Sequence, residues 1–212
     1  INNTDFVTAV SESLKKDTLS LFEIKKEIEV IPNFVNHEKY NSTTLKTNLL
    51  NNNHKIITHV SNFRKVKRII DVIDVFDGIQ KEIPAKLLLI GHGPEKNKAE
   101  IKAKRLGIKD KVIFFGKSNE TNKILSFTDL FLLPSEIESF GLSALEAMAS
   151  SDPVVSSNAG GLPELIENGK SGYICKIGDV EDMSKKSLEI LDDKNLKVFK
   201  DNAFLACSRS SK

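Results

Sequence analysis

Short runs of β-branched and aliphatic residues alternate along this chain with longer stretches in which apolar positions recur every three or four residues. That alternation is the mark of βα units feeding a parallel sheet. It predicts strands at roughly 5–10, 28–31, 55–60, 86–90, 111–115, 129–133, 153–156 and 172–175. Helices are predicted near 11–21, 67–82, 95–106, 119–126, 141–149, 162–167, 180–192 and 195–207. Ile69, Ile70, Val72, Ile73, Val75, Phe76 and Ile79 mark one apolar face, as a helix covering a sheet requires. Residues 85–91, Ala-Lys-Leu-Leu-Leu-Ile-Gly, are almost continuously apolar and suit a central parallel strand buried on both faces. The fold class expected is α/β, a Rossmann-like doubly wound parallel sheet.

The rhythm breaks over 36–53, rich in Asn and Thr, which reads as a connection between lobes. Residues 1–35 then form one βα unit and a crossing strand, too little for a core of their own, so they must pack on something. Residues 54–193 carry the main lobe and 194–212 a closing helix. The first residues, Ile1-Asn2-Asn3-Thr4, hold neither an initiator methionine nor a secretory signal, and Ser208 to Lys212 are polar. Both ends read as cuts within a longer protein, and apolar surface left by an absent lobe would make the isolated chain sticky.

Composition narrows the partners. The 212 residues include 31 basic and 29 acidic side chains, a formal charge of +2, too small to imply a nucleic-acid surface. Any anion site must be local. At 40% hydrophobic and 28% charged the chain is far from the disordered class. Cys175 and Cys207 fit no metal or disulfide spacing and are expected as buried free thiols in a reducing, cytoplasmic setting. The apolar runs fall short of the ~20 residues of a membrane helix.

Candidate chemistry concentrates in 134–149, where an apolar strand enters an acidic loop, then Phe140-Gly141, then a helix. The first turn of that helix offers free N–H groups at the sheet edge where ligands bind, a ready phosphate site. Glu138 and Glu146 stand eight positions apart, about 12 Å along a helix and too far for a glycosidase pair, which needs roughly 5–9.5 Å. They read as clamps for two hydroxyl groups of one elongated ligand; alternatively Glu138 faces the helix dipole and Glu146 is merely solvated. Ser61-Asn62-Phe63-Arg64-Lys65-Val66-Lys67-Arg68 follows another strand and offers four cations for a diphosphate, or a solvated helix start. Gly91-x-Gly93 lacks the third glycine of a dinucleotide fingerprint, since Lys96 stands there. Gly160-Gly161-Leu162-Pro163-Glu164 can approach a ligand by its backbone, with Glu164 complementing the helix dipole, and Gly116 can admit a base or serve as a plain turn glycine. None of His37, His54, His59 and His92 has metal spacing or a partnered nucleophile; His59 is expected as a half-buried, hydrogen-bonded strand residue.

The stretch from Glu138 through Ser-Phe-Gly-Leu-Ser-Ala-Leu to Glu146, followed by the Gly-Gly-x-Pro-Glu loop at 160–164, resembles the E-x7-E signature of family 4 retaining glycosyltransferases. Agreement runs in order from Thr8-Ala-Val-Ser11 through Val30-Ile-Pro-Asn-Phe-Val35 to Gly178-Asp179. The resemblance implies a GT-B fold of two Rossmann-like lobes, with this chain as the C-terminal, donor-binding lobe. Glu146 would then bind the ribose hydroxyls of UDP, Glu138 the donor sugar, and the backbone of Ser139, Phe140, Gly141 and Leu142 the sugar and phosphates. Lys67 would hold the diphosphate, Gly116 and Lys117 would meet the uracil, and Gly91 and Gly93 would border the donor. Ser61-Asn62 stand where the family usually has Gly-Arg, which leaves Asn62 at the donor and Arg64 as the substitute cation. The segments His59 to Arg68 and Leu133 to Gly141 look most like the branch of the family acting in bacillithiol biosynthesis. That likeness implies transfer of N-acetylglucosamine from UDP-GlcNAc to L-malate, with malate bound through the other lobe. It also implies no cofactor or metal, and leaves a homodimer open for the full-length protein. Another acceptor, polysaccharide or lipid-linked, or UDP-sugar binding without turnover, are the alternatives.

Overall fold

The computed structural model describes residues 3–40 and 54–209, the side chains of residues 37 and 38 excepted. Thus 41–53 of the expected connection and the last three residues of the polar end lie outside the described residues. Strands β3 (Lys55–Ser61), β4 (Ala85–Gly91), β5 (Val112–Gly116), β6 (Leu130–Leu133), β7 (Val154–Ser157) and β8 (Gly172–Cys175) form one six-stranded sheet. Every pairing is parallel and the spatial order is β5-β4-β3-β6-β7-β8. All four residues of β6, Leu-Phe-Leu-Leu, are buried, as a strand covered on both faces demands. The chain winds outward from β3 to β5, then returns beside β3 with β6 and winds the other way. That reversal opens a crevice at the C-terminal ends of β3 and β6, the usual ligand position in such a sheet.

Helices α3 (Ile69–Glu82), α4 (Lys96–Arg105) and α8 (Val180–Leu191) cover one face, where Ile73, Phe76, Leu87, Leu89, Leu132 and Ile190 form the largest core cluster. Helix α6 (Leu142–Ala149) and the four-residue α7 (Leu162–Leu165) cover the other, with Phe131, Leu145, Met148 and Val154. Helix α9 (Asp193–Arg209) serves both: Phe199 joins the first cluster, and Ala203, Ala206 and Cys207 join the second. Short α5 (Thr121–Leu125) closes a small third cluster around Ile56, Leu88 and Phe127. Both cysteines are buried and neither forms a disulfide, as expected.

The sequence-derived elements near the N-terminus shrink. Strands β1 (Thr8–Ala9) and β2 (Glu29–Val30) pair in parallel over two residues each, on either side of α1 (Glu12–Leu21). This unit is fastened to the main lobe. Ser11 caps α1 by accepting from Leu14 N–H at 3.0 Å and donates its hydroxyl to the Ser139 carbonyl at 2.7 Å. The Glu164 carboxylate accepts from the N–H groups of Glu12 and Ser13 at 2.9 and 2.8 Å. Two further differences concern connections. The start of the supposed interlobe stretch folds as a helical turn, α2 (His37–Tyr40), against α5 and α6. The helix expected from 67 begins only at Ile69, after a 3₁₀ turn at Lys65–Lys67 and a left-handed Arg68 at φ 48°.

Candidate functional site

Two loops frame the crevice, one after β3 (61–68) and one after β6 (134–141). They are joined twice. Glu136 N–H donates to the Val66 carbonyl at 2.7 Å, and the Lys67 ammonium meets the Glu138 carboxylate at 2.5 Å. The side chains of Lys67 and Glu138 are only 19% and 14% exposed, and Ser135 Oγ lies 3.4 Å from the same carboxylate oxygen. The cation and carboxylate singled out from sequence therefore meet across the switch point. Each neutralises the other, and each keeps unused hydrogen-bonding capacity, since an ammonium has three donors and a carboxylate about four acceptor positions.

The acidic loop ends at Gly141, the N-cap of α6, in the left-handed region at φ 101°. A Cβ there would fall 2.5 Å from Leu162 Cδ2, so only glycine lets the helix start at this point. No side chain caps α6, which leaves its first N–H groups facing the crevice with the positive end of the helix dipole. Phe140 is buried in the core beneath, so it meets the crevice only through its backbone, whereas Ser139 and Leu142 are exposed. Glu146 lies one to two turns into α6, half-buried, and its carboxylate is hydrogen-bonded by the Tyr40 phenol. Burial and the adjacent Glu146 both push the Tyr40 hydroxyl above its ordinary pKa, so the phenol stays protonated and donates.

The glycine loops make close contacts of their own. The 160–164 loop, expected to approach a ligand by its backbone, packs closely against the acidic loop. A Cβ on Gly160 would lie 1.6 Å from the Glu138 carbonyl oxygen, and one on Gly161 would crowd Ser139 and Ser11. Glu164, read as complementing the dipole of its own helix, also caps α1. Gly91 and Gly93 have the same kind of role: a Cβ on either would strike the Ser61 or Asn62 carbonyl oxygen, at 1.8 and 1.9 Å. They let the β4 loop lie directly on the basic loop. Gly116 differs, with φ at +75° and nothing within 4 Å of the place a Cβ would take. The space beside its Cα is open, and Lys117 next to it is exposed. Asn62 and Arg64 are exposed at the rim of the basic loop and are not drawn onto Glu138.

His59, expected half-buried, has no exposed surface at all. Its Nδ1 lies 2.8 Å from the Leu132 carbonyl and its Nε2 lies 2.8 Å from Ser61 Oγ. Burial pulls its pKa down to about 4, against the Leu132 bond and with help from the Lys67 charge, so the ring is neutral. Tyr40, Ser11 and Phe63 are not legible as site residues in the sequence, because each acts through a contact distant along the chain. A cavity of about 190 Å³ lies between α1 and the acidic loop, lined by Ser13, Leu14, Asp17, Glu136, Glu138 and Gly160. Among the described residues no group of three His, Cys, Asp or Glu is arranged to hold a metal, and no helix is long and apolar enough to cross a membrane.

Residues 41–204 match the model of the family described as glycosyl transferases group 1. The chain is 42% identical over 200 residues to the N-acetyl-alpha-D-glucosaminyl L-malate synthase of Bacillus anthracis, covering 92% of this chain and 52% of that protein. It is 28% identical to the poly(ribitol-phosphate) alpha-N-acetylglucosaminyltransferase of Staphylococcus aureus, over 91% of this chain and 38% of that one. The chain thus spans about half the length, or less, of the curated relatives it matches. Among solved structures, TarM superimposes with a TM-score of 0.86 at 27% identity, over 100% of this chain and 41% of that one. HepE from Anabaena, solved with UDP-glucose, superimposes with a TM-score of 0.91 at 22% identity, over 100% of this chain and 61% of its own.

Proposed function

Because the chain belongs to the glycosyl transferases group 1 family, we propose that it is the donor-binding lobe of a GT-B enzyme that moves N-acetylglucosamine from UDP-N-acetylglucosamine to the hydroxyl of L-malate, with retention of configuration. The geometry that supports the donor-lobe reading is the meeting of Lys67 and Glu138 across the switch point, beside the uncapped start of α6. The choice of donor sugar and acceptor rests on the 42% identity to the malate-glycosylating relative.

In this reading the UDP moiety lies along the crevice. The open backbone at Gly116 and Lys117 receives the uracil, and Glu146, steadied by Tyr40, accepts hydrogen bonds from the ribose hydroxyls. The diphosphate rests on the α6 N–H groups and on Lys67, with Asn62 and Arg64 at the rim. As the phosphate engages Lys67, Glu138 is released in part to take hydroxyl groups of the sugar. Charge develops on the departing UDP as the glycosidic bond breaks, and the preset cation and helix dipole stabilise it there. Gly91 and Gly93 support this site from behind by seating the basic loop. The acceptor lies on the side of α1, on residues supplied largely by a preceding lobe. Phe6 and Phe34, 86% and 77% exposed, mark apolar surface on which such a lobe would pack.

Titration calorimetry in metal-free buffer tests the reading. UDP and UDP-N-acetylglucosamine should bind, and Glu146→Ala should weaken UDP by about 1.5–3 kcal/mol, the range for a lost charged hydrogen bond. In the intact protein, malate should accelerate UDP release from UDP-N-acetylglucosamine. Unchanged UDP affinity in Glu146→Ala would count against the site, and faster turnover with a polysaccharide or lipid-linked acceptor would replace malate.

A further inference from the structure

The basic loop adopts a shape that its own sequence disfavours. Phe63 sits in the left-handed region at φ 43° and Arg68 at φ 48°, where a bulky side chain is a true outlier. Such strain persists only where the surroundings hold it in place. Around Phe63 the holding contacts are specific. Its N–H donates to Ser61 Oγ at 3.2 Å, its carbonyl accepts from Glu95 N–H at 3.0 Å, and its ring, wholly buried, stacks on His59 at 6.2 Å.

Proton positions in this group follow from what each atom can do. The Leu132 carbonyl can only accept, so His59 Nδ1 carries the hydrogen. The neutral ring then has a bare Nε2, which can only accept, so the Ser61 hydroxyl donates to it. The oxygen of that hydroxyl is thereby turned toward the Phe63 N–H. A single directed chain runs from Phe63 N–H through Ser61 and His59 to Leu132. It starts in the basic loop and ends on β6, the other strand at the switch point.

We propose that His59 and Ser61 are positioning residues for diphosphate recognition: their hydrogen-bond chain holds Phe63 in its left-handed turn and so sets where Lys67 stands. This rests on the donor-lobe reading. Three residues after Phe63 the 3₁₀ turn delivers Val66 to Glu136 and Lys67 to Glu138. A change of the turn at Phe63 swings the cation away from the α6 N-terminus while leaving the nucleoside end, around Gly116 and Glu146, as it is.

The test compares two ligands on the intact protein, UDP and uridine, by calorimetry. Ser61→Ala removes the hydroxyl and orphans Nε2 and the Phe63 N–H. His59→Asn keeps an amide donor for Leu132 but has no acceptor that reaches Ser61. Both should weaken UDP about tenfold, the effect of one lost buried hydrogen bond, and leave uridine affinity unchanged. Ser61→Thr, which retains a hydroxyl, should restore UDP binding. Ser61→Ala, a minimal deletion, carries the comparison alone if His59→Asn does not fold. Variants that bind UDP as the parent does, or that lose UDP and uridine equally, overturn the proposal. A parent that binds UDP no better than uridine overturns the diphosphate reading beneath it.

Discussion

At the scale of single residues, Asp152 is the least expected feature. It is wholly buried between α6 and β7, and neither carboxylate oxygen has a hydrogen-bond partner. Burial raises its pKa well above the usual carboxylate range, with Asp129 adding to the effect and Lys200 opposing it. An acid whose pKa is higher folded than unfolded binds more protons when folded, so stability falls as pH rises between the two values. Asp152→Asn should therefore match the parent near pH ~4 and gain stability as pH rises from there toward the raised folded value. Thermal melts of both proteins from acid to neutral pH would check this; a constant difference would show that Asp152 is not titrating. The Asp152 environment is invisible in the sequence, as is the hydrogen bond from Tyr40 to Glu146, because charge alone does not reveal which side chains the fold will bury.

At the scale of elements, the strands and the long helices are legible in the sequence, and the loops between them only in part. Apolar periodicity locates β3 to β8 within a residue or two because the central strands bury both faces and the edge strands at least one. The same periodicity misplaces the start of α3, since the signal that stops a helix at Arg68 lies in the backbone of Phe63 to Arg68 and its packing. The paired glycines stand out in the sequence, but the loops they pack against do not. Gly160, at φ +52°, supports the acidic loop by direct contact with Glu138 backbone, and Gly160→Ala combines backbone strain with a severe clash. It should cost about 3 kcal/mol. Gly169→Ala, at φ +78° but with its nearest neighbour 3.9 Å away, should cost about 1 kcal/mol. Denaturant unfolding of the two variants separates contact from conformation, and equal losses would remove the packing role of Gly160.

At the scale of the whole molecule, the N-terminal unit is joined to the main lobe by hydrogen bonds at the start of α1 and by Val10 and Val35, which pack against the second core cluster. Ser11 and Glu164 fasten the first turn of α1 to the loops that carry Glu138 and the Gly-Gly pair. Six of the exposed large apolar residues, Phe6, Leu19, Leu21, Phe22, Ile31 and Phe34, belong to this unit. Its stability thus depends on docking rather than on a core. Glu164→Ala should remove about 1 kcal/mol of helix-end stabilisation and speed amide exchange across residues 12–21, leaving β3, β4 and β6 protected. Unchanged exchange in α1 would mean that the carboxylate is not what holds it.

By itself the sequence determined the α/β class, the alternation of strands and helices, and the presence of one acidic and one basic loop, each directly after a strand. These follow from local periodicity and from residue types that only a few environments tolerate. Tertiary structure alone decided that Lys67 and Glu138 neutralise each other, that Tyr40 supports Glu146, that the paired glycines seat loops, and that His59 is buried under the basic loop. Each of these is a contact between residues far apart in the chain. Its energy depends on distance and on exclusion of water, which no local pattern encodes.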